Sequence, residues 1–262
     1  MSSATNQTVY LDRKVTGANR GIGFGLVTEL VKDSNNLVFA GARDPVKADA
    51  LNALAKESQN LKVVQVTSGD EADNKAAVEE IRKTSGRLDT VIANADIGKY
   101  YGRLVDHPIQ EFRDHYEVNT LGVIILFQAV QPLLAKSPTG AGHFAVISTA
   151  AASISQYFPL SASAYGSSKA SANFIVKVIH SEHEADGIVA SAHQPGWVQT
   201  DMGNGGAVAN GMAAAPVKLE DCVKGLLGNI VGATRESAGG KFLNAVRAKE
   251  NPWDIETAEI AW

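Results

Sequence analysis

Short, apolar, β-rich runs alternate with helical patterns along almost the whole chain, and this alternation limits the fold more than any other feature. "NLVFAGAR" (36–43) leads into "VKADALNALAKES", "LKVVQV" (61–66) leads into "DNKAAVEEIRKTSG", and "LDTVIANA" (88–95) follows. A helix beginning near Pro108 carries "FRDHYEVNTLGVIILFQAVQPLLAK". After it come "GHFAVIST" (142–149), a long helical "SAYGSSKASANFIVKVIHSEHEADG", the buried run "IVASAHQPG", and "GKFLNA" (240–245). Such alternation is the signature of a parallel sheet covered on both faces and built from right-handed crossovers. The expectation is a single α/β domain over residues 1–262, a doubly wound parallel sheet of about seven strands with helices on both faces. No repeat of solenoid period and no interdomain linker divides it, and residues 1–7 read as a flexible tail.

Composition narrows the function. Hydrophobic residues at 45% and charged residues at 20% exclude a chain disordered throughout. A formal net charge of -4 gives no general attraction to nucleic acid or to anionic membranes, so neither is expected as a partner. The N-terminus "MSSATNQT" lacks the basic and apolar regions of a signal peptide, and the apolar run around "GVIILFQAV" is too short to span a bilayer. Cys222 is the only cysteine, which rules out an internal disulfide and points to a reducing, cytoplasmic compartment. It sits in the helical pattern "LEDCVKGLL" and reads as a core or half-buried thiol. His180 and His183 share a helix without a third ligand, so a solvated face, and no metal site, is expected there.

The first unit of the alternation carries the chemistry. Thr16-Gly17-Ala18-Asn19-Arg20-Gly21-Ile22-Gly23 follows a β-like start and precedes the helical "FGLVTELVKD". Glycines allow a tight turn and close approach of backbone to a pyrophosphate, and the N-terminus of the next helix favours negative charge. In this strand–loop–helix context the loop predicts dinucleotide binding in a Rossmann domain. The run feeding it is unusual, because Asp12-Arg13-Lys14 interrupts "VYL…V". A central strand buried on both faces holds unpaired charges only at high cost. Either "TVYL" supplies the strand and the charges bulge out, or the strand starts late. A local insertion is the expectation.

"TGANRGIG" resembles the nucleotide loop of the classical short-chain dehydrogenase/reductase family, and the likeness runs through most of the chain. "IANA" (92–95) resembles the family's Asn-Asn-Ala-Gly motif, and "VNTLG" (118–122) holds the helix Asn of its tetrad. Tyr165-Gly-Ser-Ser-Lys169 is similar to its Tyr-x-x-x-Lys pair, and "QPGWVQTDMG" (194–203) to its Pro-Gly-x-Val-x-Thr segment. Within the family the chain looks most like the fungal norsolorinic-acid-ketoreductase-like and carbonyl-reductase-like branch.

Two tyrosines have Lys four residues on, and geometry separates them. Tyr10 and Lys14 flank the first strand, where four residues span about 13 Å at ~3.3 Å each. Tyr165 and Lys169 lie in a helical pattern, where i and i+4 share a face at about 5–6 Å. That separation lets an ammonium lower the phenol pKa from its usual ~10. The resemblance then implies that Tyr165 donates a proton to a substrate carbonyl while NADP(H) supplies hydride. It also implies that Lys169 tunes Tyr165 and binds the ribose hydroxyls, and that Asn119 holds a relay water. The hydroxyl that polarises the carbonyl falls in "VISTAA": Thr149 stands at the family's catalytic position, with Ser148 the alternative.

The same resemblance places Gly17, Asn19, Arg20, Gly21, Ile22 and Gly23 on the pyrophosphate, and Asn94 and Ala95 along the ribose and nicotinamide path. Pro195, Gly196, Val198 and Thr200 fall on the nicotinamide carboxamide segment. Arg43, after Ala42 at the end of the second strand, suits a 2′-phosphate and favours NADP(H), with Arg20 as a second cation. Thr67 stands where many relatives carry an adenine-contacting Asp, and Asp96 replaces the usual Gly after "NA". Residues 202–218, rich in Gly and Ala, read as a substrate lid. With Tyr100, Tyr101, Tyr157 and Phe158 they favour a bulky or aromatic ketone. The C-terminal "KENPWDIETAEIAW" reads as a disordered tail or as a flap on the pocket or on a neighbouring subunit.

The predicted function is NADPH-dependent reduction of a ketone to a secondary alcohol. The steps are reversible, so the same residues serve an alcohol dehydrogenase running oxidatively. A catalytically idle NADP-binding sensor or scaffold is the rival from another class; Asp96 and the charged first strand speak for it, and Asn119, Tyr165 and Lys169 against it. Relatives form dimers or tetramers through paired helices, which implies a homodimer or homotetramer.

Overall fold

The computed structural model describes residues 11–246 and 257–262. Seven parallel strands form one sheet in the order β3-β2-β1-β4-β5-β6-β7. They are β1 (Leu11–Val15), β2 (Asn36–Ala42), β3 (Leu61–Gln65), β4 (Thr90–Ala93), β5 (His143–Ile147), β6 (Val189–Gln194) and β7 (Phe242–Asn244). The order reverses between β1 and β4, and in such sheets the crevice at the carboxyl ends of the strands at that point is where ligands bind.

Two apolar layers fill the faces. On one, α3 (Glu71–Thr84), α5 (Gly122–Leu134) and α6 (Ser163–Glu182) cover Phe39, Val91, Phe144 and Ala190 with Ile81, Leu126, Val130 and Val176. On the other, α1 (Gly21–Leu30), α2 (Asp49–Glu57) and α8 (Leu219–Ile230) cover Val15, Val38, Ile92 and Ala145 with Leu26, Leu51 and Leu226. Cys222 is buried in the second layer, and that burial pushes its thiol up to about 12.

The first strand departs from expectation. Asp12, Arg13 and Lys14 neither bulge out nor form an insertion. Leu11–Val15 pairs in unbroken register with Asn36–Ala40 on one side, and Arg13–Val15 with Thr90–Ile92 on the other. Arg13, 3% exposed, survives burial because the flanking strands supply acceptors: its Nε donates to Asn36 Oδ1 at 2.9 Å and its Nη1 to Thr90 Oγ1 at 3.3 Å. Lys14 has no such help. It is fully buried beside Phe39 and Val91, its Nζ has no partner, and desolvation lowers it to about 7. The tail expected over residues 1–7 and Tyr10 lie outside the described residues.

Two other expectations change. Ile109–Leu134 is one continuous helical stretch of 26 residues, α4 (Ile109–Tyr116) joined to α5 through a π turn at Glu117–Leu121. By length and composition it could cross a membrane, which the apolar run read from sequence could not, but half of its most apolar window is buried against the sheet. At the C-terminus, residues 257–262 fold onto the β7 edge. Asn244 N donates to Ala258 O at 2.9 Å, Ile260 N donates to Phe242 O at 2.7 Å, and the Trp262 ring stacks on Phe242.

Candidate active site

The glycine loop leaves β1 and is tied at once to the end of β4. Thr16 Oγ1 accepts from the Asn94 and Ala95 N–H groups at 3.0 Å each, and Asn94 Nδ2 donates to the carbonyls of Thr16 at 2.9 Å and Gly17 at 3.2 Å. Gly17 has φ +62°, and a Cβ on it would stand 2.9 Å from Ala95 Cα; a Cβ on Gly23 would overlap the Gly17 carbonyl oxygen. Only glycine fits either place. Helix α1 begins at Gly21 with no side-chain cap and no acidic residue in its first turn, so its leading N–H groups are free for an anion. Asn19 and Arg20 are exposed on the loop, while Ile22 is half-buried.

Neighbouring strand ends extend this cradle. Arg43 is exposed just past β2, and Thr67 is half-buried past β3, where its carbonyl accepts from Asn74 Nδ2 at 3.1 Å. On the opposite side, buried Pro195 and then Gly196 (φ +86°) follow β6, and Val198 bridges to Val217. Thr200 lies against the loop, its Cγ2 3.4 Å from where a Cβ on Gly21 would stand, and its Oγ1 accepts from Gly203 N at 3.1 Å. That bond caps α7 (Asp201–Ala209), so the first half of the expected flexible lid is a helix. Arg20 reaches Asp201 at 3.5 Å, an ion pair too exposed to contribute much stability.

The four chemical residues converge beyond β4 and β5. Asn119 is 1% exposed at the π turn, a distortion often found at functional sites. Its amide is committed: Oδ1 accepts from Ile97 N and Nδ2 donates to Ile97 O, both at 2.9 Å, and Nδ2 also reaches Ser168 Oγ at 3.1 Å. In this structure Asn119 clamps the loop after β4 to α6. Ser148 points inward and donates to Asn173 Oδ1 at 2.6 Å, away from Tyr165. Thr149 Oγ1 accepts from Ala151 N at 3.2 Å, and its hydroxyl is near enough to the Tyr165 phenol to lower it.

Tyr165 and Lys169 share a face of α6, with Lys169 Nζ 5.8 Å from the phenol ring centroid. The ammonium is not directed at the phenol oxygen. It donates to Ile147 O at 2.8 Å and pairs with Asp96 Oδ2 at 2.8 Å, and the Tyr165 hydroxyl donates to the same Asp96 oxygen at 3.4 Å. The expected lowering of the phenol is therefore reversed. Burial, and then the Asp96 charge, raise Tyr165 well above its ordinary value, opposed only by the nearby Thr149 hydroxyl. Sequence reading marked Asp96 as a departure and missed this contact, because residues 69 apart in the chain give no local signal.

Tyr101 and Met202 complete the surroundings. A Cβ on Gly206 would stand 2.8 Å from the Tyr101 hydroxyl, and one on Gly98 would stand 3.1 Å from Met202 Sδ and 3.5 Å from Tyr165 Cδ2. Of the other aromatics expected around the pocket, Tyr100 packs on His107, Tyr157 is 75% exposed and Phe158 is half-buried. His183 bonds Asp186 and meets Phe127 edge-on, and no group of three metal-ligating side chains occurs among the described residues.

A phosphate-accepting cradle beside a Tyr–Thr–Lys cluster, at the switch point of a parallel sheet, defines a dinucleotide-dependent oxidoreductase. Residues 14–207 match the short chain dehydrogenase family, to which this chain belongs. It is 35% identical over 258 residues to the norsolorinic acid ketoreductase of Dothistroma septosporum, covering 95% of this chain and 94% of that protein. It is 36% identical over 258 residues to the corresponding enzyme of Emericella nidulans, covering 96% and 95%. Among solved structures it is similar to an NADPH-bound carbonyl reductase from chicken fatty liver, with TM-score 0.81, 30% identity and coverage of 96% and 98%.

Proposed function

We propose that this protein reduces a ketone to a secondary alcohol with NADPH, and that Tyr165 is the proton donor. The observation that carries the reading is the convergence of the Tyr165 and Thr149 hydroxyls and the Lys169 ammonium beside the Gly17/Gly23 cradle. The cradle fits a dinucleotide: Gly17, Gly21 and Gly23 admit a pyrophosphate, the α1 N-terminus stabilises it, and exposed Arg43, with the exposed Arg20 that pairs with Asp201, suits a 2′-phosphate. When bound, the reduced cofactor supplies the hydride.

The chain's own residues do the rest. Thr149 donates to the carbonyl oxygen and polarises it, and Tyr165, protonated across the physiological range, transfers its proton there as negative charge develops. Lys169, held between Ile147 O and Asp96 Oδ2, is the cation that stands over the Tyr165 ring as the phenolate forms. Thr200 and Val198 position the ring end of the cofactor, and α7 with Met202 and Tyr101 covers the substrate. These apolar and aromatic walls, beside the likeness to norsolorinic acid ketoreductases, support a bulky or aromatic ketone. Ile109, Tyr116 and Phe174, left exposed on α4 and α6, support pairing into a homodimer or homotetramer, and the buried lone thiol fits a cytoplasmic enzyme.

Fluorescence titration with NADPH and NADH tests the reading. Saturable binding, tighter for NADPH, is expected, with Arg43→Ala narrowing the gap. Tighter NADH, or no binding of either, would contradict it.

A further inference from the structure

The residue the reaction scheme does not use is Asp96. It sits in the loop after β4, whose next residue, Ile97, is held at both its N–H and its C=O by the buried Asn119 amide, so the carboxylate is fixed in place. Its side chain is 17% exposed, and Oδ2 takes the Lys169 ammonium at 2.8 Å and the Tyr165 hydroxyl at 3.4 Å. A surface carboxylate would be indifferent to these groups. This one faces both members of the pair on which the chemistry depends.

Resting on the function proposed above, we propose that Asp96 is a positioning residue of this active site. Its carboxylate holds Lys169 and receives the Tyr165 hydroxyl hydrogen, and so governs when that hydroxyl can give up its proton. The physical reason is Coulombic. A negative charge within hydrogen-bond reach opposes formation of a phenolate, and the ion pair diverts the ammonium that would otherwise favour one. The other groups facing the phenol do not replace it. Thr149 is neutral and lowers the phenol, Tyr101 raises it but less than the Asp96 charge does, and the His115 ring meets the Tyr165 ring edge-on at 6.4 Å while accepting from Lys99 N. Reduction needs the phenol protonated, so Asp96 extends the reductive reaction towards alkaline pH.

Asp96→Asn keeps the shape and removes the charge. The phenol of Tyr165 is read without cofactor or turnover, as the tyrosinate absorbance near 295 nm that disappears in a Tyr165→Phe background. In Asp96→Asn it should titrate at least about one pH unit lower than in the natural protein, and the alkaline limb of kcat/KM for ketone reduction should fall by the same amount. Asp96→Gly removes the carboxylate without adding a new hydrogen-bonding group, and should shift both readouts the same way if the Asn variant fails to fold. Superimposable titrations in the natural protein and the variants would overturn the role. Loss of all ketone reduction by the natural protein would instead overturn the function and leave the phenol titration readable.

Discussion

Ser148 and Thr149 are consecutive, yet their hydroxyls serve opposite sides of the chain: Ser148 donates into the interior to Asn173 at 2.6 Å, while Thr149 faces the Tyr165 phenol, which it lowers. The alternation of a strand end explains it, because successive side chains point to opposite faces. Thr149→Ala should therefore lower kcat about 10²–10³-fold, as loss of one preorganised donor does. Ser148→Ala should leave kcat nearly unchanged and reduce stability by about 1–2 kcal/mol by orphaning the Asn173 acceptor. Parallel kinetics and thermal melts of the two variants check the assignment.

The glycine cradle gives a second expectation. Gly17→Ala forces a side chain onto a backbone at φ +62° and against Ala95, so NADPH affinity should fall more than about tenfold. Gly205→Ala is the control. Nothing lies within 4 Å of its Cβ position in α7, and it should bind NADPH normally and melt slightly higher, since alanine is favoured in a helix interior by up to ~1 kcal/mol. Titration of both variants separates a cradle from a mere turn.

Lys14 makes the fold more stable in alkali. Its folded pKa is about 7, against ~10.4 in an unfolded chain. Between those values the unfolded state binds the extra proton, so stability rises with pH, by at most ~1.4 kcal/mol per unit. Lys14→Met should raise the melting temperature at pH 7 and flatten its rise between pH 7 and 9.5, which scanning fluorimetry across buffers would record.

Acid should act through two histidines on the other layer. His143 and His193 are joined through Ser191 at 2.7 Å on each side, and burial lowers them to about 4 and about 3. Below ~6.5 the unfolded chain takes up protons that the folded one refuses, so stability is lost as pH falls, by as much as about 2 kcal/mol per histidine at pH 5. His193→Leu, which also removes the unpartnered Nδ1, should make the loss of melting temperature from pH 7 to 5 shallower.

The sheet, its order of elements and the Tyr165–Lys169 pair were legible because each is written in local periodicity: apolar runs, helical spacing, a glycine turn. What was not legible depends on partners across the sheet. Arg13 looked impossible in a central strand because nothing local announces that Asn36 and Thr90 stand beside it. The helix within residues 202–218 was hidden by glycines, although its signal, Thr200 followed by Asp201, was present in the sequence. The burial of the phenol and its contact with Asp96, which together reverse the expected effect, required the fold itself.

The measurement that tests the account most directly is NADPH oxidation in the presence of an aromatic ketone, by the natural protein and by Tyr165→Phe, with NADPH affinity measured in both. Turnover by the natural protein, and loss of at least about 10²-fold in Tyr165→Phe at unchanged affinity, is the expected result. Equal rates in the two proteins, or NADPH binding with no turnover in either, would contradict the role given to Tyr165 and the function built on it.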